Sequence, residues 1–120
     1  MPGFKIYTDL PANKTYVRAR QAAYKRHFTL EDKGERAFVA TRGSYWMSYF
    51  LGAVNVYCEF QLSVEDHGKA TVVVLECNEP EGMFSGSGVT RIKHRAKELE
   101  NAIVTEILGG GGKVLKEREY

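Results

Sequence analysis

Cysteine is scarce in this chain, long apolar runs are absent, and one stretch has no acidic residue at all. Two cysteines, Cys58 and Cys77, are too few for a disulfide scaffold. No apolar run reaches the ~18 residues that a membrane span needs, so no membrane span is expected. The opening Met1-Pro2-Gly3-Phe4-Lys5 lacks a basic head followed by an apolar block, so it does not read as a signal peptide and the expected location is cytoplasmic. Between Leu10 and Leu30 there are five cations and no carboxylate, yet the net charge of the whole chain is only +2. That balance predicts no bulk attraction to nucleic acid. The HExxH, CxxC and GxSxG patterns are missing too. His27, His67 and His94 have no recognisable nucleophile or third partner, so no catalytic residues and no cofactor are expected.

What is present suits one soluble domain. The 120 residues are 43% hydrophobic and 27% charged, enough to bury a core. Residues 1–112 read as the domain. Residues 113–120 read as a charged, mobile tail, unless Lys113-Val114-Leu115-Lys116 adds a short edge strand.

Phe4 to Leu10 alternates as a first strand, with Phe4, Ile6 and Thr8 on one face. Pro11 turns the chain and Asn13 is the expected N-cap of a helix over 13–27. Val17, Tyr24 and Phe28, with Tyr16 and Ala23 beside them, give that helix its expected buried stripe. Lys25, Arg26 and His27 suit its last turn, where the helix dipole favours cations. Two hairpins follow, over 28–42 and 55–78. Each is expected to turn at a Glu-Asp-x-Gly sequence, Glu31-Asp32-Lys33-Gly34 and Glu65-Asp66-His67-Gly68. A three-residue loop in the second sets Val64 against Ala70, Leu62 against Val72 and Phe60 against Val74. Cys58 and Cys77 then point to opposite faces and stay unbridged. Val89, Ile92, Ala96, Leu99, Ile103 and Ile107 repeat at helical steps, predicting a helix over 89–108 with Ser87 as N-cap and Gly109–Gly112 as its stop.

The order β-α-β-β-β-β-α predicts an α+β two-layer sandwich. An antiparallel sheet of about five strands carries both helices on one face. In element order alone this layout is similar to a shortened helix-grip domain, the architecture of START-like ligand binders. It implies a ligand pocket between helix and sheet.

The most unusual stretch is Ser44–Val54, a charge-free segment between the two hairpins that holds the single Trp. Tyr45, Trp46, Tyr49, Phe50 and Leu51 are residue types enriched at interface cores. They serve as part of the domain's own core, as the lip of a pocket for a small apolar ligand, or as a homodimer interface. A second candidate set is basic. Ser87 and Gly88 lie where a helix N-terminus would attract an anion, and Arg91, Lys93 and Arg95 follow. Together with Arg18 and Arg20 they make a candidate surface for a polyanion or nucleic acid, the alternative to apolar binding. The spacing is not that of a P-loop. Glu31, Asp32, Glu65, Asp66 and His67 meet at one sheet end in a meander. They are first of all turn residues, and no metal is assigned to them.

Overall fold

The computed structural model describes residues 3–42, 58–77 and 87–119, with backbone alone for 87–91. It contains β1 (Gly3–Thr8), α1 (Ala12–Lys25), β2 (Thr29–Gly34), β3 (Ala37–Arg42), β4 (Cys58–Asp66), β5 (Thr71–Cys77), α2 (Ser87–Gly109) and β6 (Val114–Glu119). The strands form one antiparallel sheet in the order β2-β3-β4-β5-β1-β6. Both helices pack on one face, so the expected α+β sandwich is what forms, with six strands instead of five. Among the described residues no helix is long and apolar enough to cross a membrane.

The sixth strand is the stretch expected as a mobile tail. Val114–Glu119 lies antiparallel to β1 and is clamped at its start. The Thr8 hydroxyl donates to the Lys113 carbonyl at 2.7 Å, and the Lys113 N–H donates to Asp9 Oδ1 at 2.7 Å. β1 is therefore an interior strand, which accounts for the complete burial of Ile6.

The inner face of the sheet carries Phe4, Ile6, Phe38, Phe60, Leu62, Val73 and Leu75, all at most 2% exposed. Phe60, Leu62 and Val64 face Cys77, Leu75 and Val73, so the expected register is wrong by an odd number of residues. The loop holds four residues, 67–70, between the paired Asp66 and Thr71. Gly68 stands at φ 80° with its N–H on Asp66 Oδ1. Because side chains alternate, the slip turns β5 over. Cys58 and Cys77 consequently both belong to the inner core. Val72 and Val74 are left on the outer face, where Lys5, Glu65, Glu76 and Arg118 rim a depression beside Val74.

The first hairpin also turns later than expected, at Glu35-Arg36, after a bulge between Asp32 and Gly34. Asp32 is thereby a strand residue opposite Phe38. Its Oδ1 accepts from the Tyr16 hydroxyl and from Arg20 Nη1, each at 2.9 Å, tying β2 to α1.

Helix α1 starts one residue before Asn13, with Pro11 at the N-cap position and no side-chain cap. Its buried face is Ala12, Thr15, Ala19, Ala22 and Ala23; of the stripe expected, Ala23 and Phe28 are buried and Tyr16 packs against the core, but Val17 and Tyr24 do not join it. Val17 and Tyr24 are 52% and 74% exposed. Small side chains let α1 approach both the sheet and α2 closely. The helix closes with Phe28 N–H on the Ala23 carbonyl and His27 N–H on that of Tyr24. His27 takes the left-handed conformation at φ 68°. Helix α2 ends the same way, with Gly112 N–H on Ile107, Gly111 N–H on Leu108 and Gly111 at φ 88°. Ile92, Ala96, Leu99, Ile103 and Ile107 are buried as the spacing predicts. Ser87 is the first residue of α2 rather than its cap.

Candidate functional site

The two hairpins are joined at the end of the sheet where β3 stops at Arg42 and β4 starts at Cys58, a directly opposed pair. Tyr45, Trp46, Tyr49, Phe50 and Leu51 lie between these two points in sequence and outside the described residues. Around the Arg42–Cys58 pair the fold gathers charge. Arg26 caps α1, Arg42 ends β3, and Arg95 and Glu98 are one turn apart on α2. All three guanidiniums face the one carboxylate. Arg95 Nη1 is 3.1 Å from Glu98 Oε2, while Arg42 Nη1 and Arg26 Nη1 stand 3.6 and 3.8 Å from Oε1. Two positive charges among these four residues are left without a carboxylate inside the cluster.

Arg42 is the innermost of the three, with its side chain 25% exposed. Its guanidinium carbon lies 5.8 Å from the centre of the Phe28 ring. Phe28 in turn packs on Phe60 at 5.9 Å. The result is a column from core aromatic to surface cation, a stack that holds the planar guanidinium in place. Arg42 Nη1 is itself enclosed and has no hydrogen-bond acceptor among the described residues.

Cys58 sits beneath this cluster and donates from Sγ to the Arg42 carbonyl at 3.7 Å. Burial pushes its thiol up to about 11, against the opposing pull of Arg95 and Arg42. A thiol held in that state is a poor nucleophile at neutral pH.

The expected basic set is dispersed. Arg18 pairs with Glu106 at 3.5 Å, and Lys25 binds the same carboxylate, linking α1 to α2. These cations hold the Glu106 carboxyl below its ordinary range, Lys25 contributing most. Arg20 pairs with Asp32 on the opposite flank of α1. Lys93 lines a cavity of about 340 Å³ at the β1 end of α2, with Gly3, Phe4, Lys97, Glu100 and Glu119. Ser87, Gly88 and Arg91 fall in the first turns of α2. Of the expected basic residues whose side chains are described, only Arg95 joins the cluster on Glu98.

The two acidic turns share one end of the sheet as expected, but their carboxylates have separate partners. Glu31 pairs with Lys33, Glu65 with His67, and Asp66 with its own turn. Among the described residues no group of three or more His, Cys, Asp and Glu could hold a metal.

Arg26, Arg42, Glu98, Phe28 and Cys58 were not legible as a site in the sequence. They come from four places along the chain, and only the folded sheet and α2 bring them together. The single local hint is that Arg42 is the last charge before the apolar segment. No known family matches this chain, and no match is found among curated proteins.

Proposed function

We propose that this chain is a non-catalytic binding domain that works at the Arg42–Cys58 end of its sheet. The observation that carries this reading is the guanidinium cluster there. Three arginines surround one carboxylate, at the two roots of the segment whose Tyr45, Trp46, Tyr49, Phe50 and Leu51 have no charge among them. Charged groups that fix a ligand beside an apolar surface that holds it are the usual ingredients of a small-molecule site. The inert state of Cys58 fits binding better than chemistry. The polyanion reading comes second, because Arg18 and Arg20 are each committed to a carboxylate.

Trp46 is the sole tryptophan and reports directly on its own segment. Titration with a medium-chain alcohol should shift its emission saturably if the segment receives a small apolar ligand. Sedimentation at micromolar concentration should show a dimer if the segment receives a second copy. A monomer whose Trp46 emission ignores every apolar probe would end the reading.

A further inference from the structure

The arginine cluster has a geometric shortfall that its own carboxylate does not make good. Only Arg95, at 3.1 Å, reaches Glu98 at hydrogen-bond length. Arg42 and Arg26, at 3.6 and 3.8 Å, are held by charge alone. The enclosed Arg42 Nη1 lacks an acceptor among the described residues. A buried donor left unpaired is costly, and more so when it carries charge. Glu98 meets only one of the three guanidiniums at hydrogen-bond length, because the arginines approach it from three elements. A tetrahedral phosphate presents three terminal oxygens, carries about −1.5 to −2 charge near neutrality, and suits the guanidinium fork. With Glu98 displaced, a phosphate dianion neutralises two of the three guanidiniums, where a carboxylate neutralises one.

We propose that Arg26, Arg42 and Arg95 bind the phosphate of a phosphomonoester, and that Glu98 is the internal competitor this phosphate displaces. The Glu98 side chain is 32% exposed and can swing outward to release the three guanidiniums. Arg42, held on Phe28, is the fixed member of the set, while Arg26 and Arg95, 50% and 39% exposed, close around the ligand. The inference rests on the binding-domain reading of the same sheet end and deepens it.

The test uses the full chain, with phenyl phosphate followed by calorimetry as the soluble arm. The lipid arm is co-sedimentation with phosphatidylcholine vesicles, with and without phosphatidic acid. Saturable binding in the first arm supports a soluble phosphomonoester; binding only to the phosphatidic acid vesicles supports a lipid one. Arg42→Gln and Arg95→Gln should each weaken binding about tenfold or more. Arg95 stands on an exposed helix face, so its variant tests the site even if the Arg42 variant fails to fold. Glu98→Gln should tighten binding severalfold by removing the competitor. Arg18→Gln removes the same unit of charge far along α1 and should change affinity by less than about twofold. The proposal is overturned if neither arm binds up to about 10 mM phosphate groups, or if Arg18→Gln weakens binding as much as Arg95→Gln. It is equally overturned, with the domain reading left standing, if an alcohol shifts the Trp46 emission while phosphate binds nowhere.

Discussion

Glu100 is the residue whose placement most constrains the solution behaviour of this protein. It is 2% exposed on α2 and looks across at Glu117 and Glu119 of β6, with Lys97 beside it on the helix. Burial, then hydrogen bonding to those two carboxylates, raises its carboxyl to about 7. Lys97, then Glu100, holds Glu119 below its ordinary range, so the protonated Glu100 donates to an ionised neighbour. The sign of the linkage follows. The folded state keeps a proton on Glu100 that the unfolded chain gives up in the ordinary carboxylate range, so stability falls as pH rises from that range through about 7. Glutamine mimics the protonated form. Glu100→Gln should therefore be more stable than the parent by about 1–3 kcal/mol at pH 8.5 and nearly equal to it at pH 5. Urea unfolding at both pH values checks this, and equal differences at the two would refute it. The sequence shows only a charged residue one position past the apolar stripe. Its burial comes from β6, a stretch whose charge makes it read as a tail.

Between α2 and β6 the chain passes through Gly109–Gly112, and the four glycines are not equivalent. A Cβ on Gly112 would stand 2.9 Å from Leu10 Cβ, 3.0 Å from Ile107 Cγ2 and 3.3 Å from the Ile107 carbonyl oxygen. A Cβ on Gly110 would meet only the flexible end of Arg18, at 2.8 Å. Gly112→Ala should cost about 1–3 kcal/mol by overpacking, whereas Gly110→Ala should be tolerated once Arg18 moves aside. Thermal melts of the two variants compare them directly, and equal losses would contradict this account. The same contrast between pattern and placement marks the other elements. Strands, helices and the sandwich were readable because apolar spacing follows period. The face of α1 was not, because alanines bury as readily as tyrosines and only tertiary crowding selects them. The register of β4 and β5 was ambiguous because Val72, Val73, Val74 and Leu75 are apolar on both faces. The usable clue was Glu76, which the expected register would have turned inward and the observed one leaves exposed. The arginine cluster, drawn from separate elements, had no comparable local signal.

At the scale of the whole molecule, β6 is what makes β1 interior. Ending the chain at Gly112 would strip the hydrogen-bonding edge of β1, remove the Thr8–Lys113 clamp and take away both carboxylates that face Glu100. The shortened chain should unfold at lower urea and self-associate through the bare edge, seen as concentration-dependent sedimentation. A monomer of unchanged stability would show that β6 is dispensable. The sheet order has one more consequence, in time instead of space. β1 precedes every other element in sequence, yet Phe4 has its partners at Leu75 and Glu119. The hairpins β2–β3 and β4–β5 can close locally, while the first strand made must wait for the last. Pairing at such long sequence separation is slow, because loop closure comes before any reward from contact. The unpaired strand is Gly-Phe-Lys-Ile-Tyr-Thr, with a lysine at its middle. A charge at that position discourages pairing with other chains during the wait.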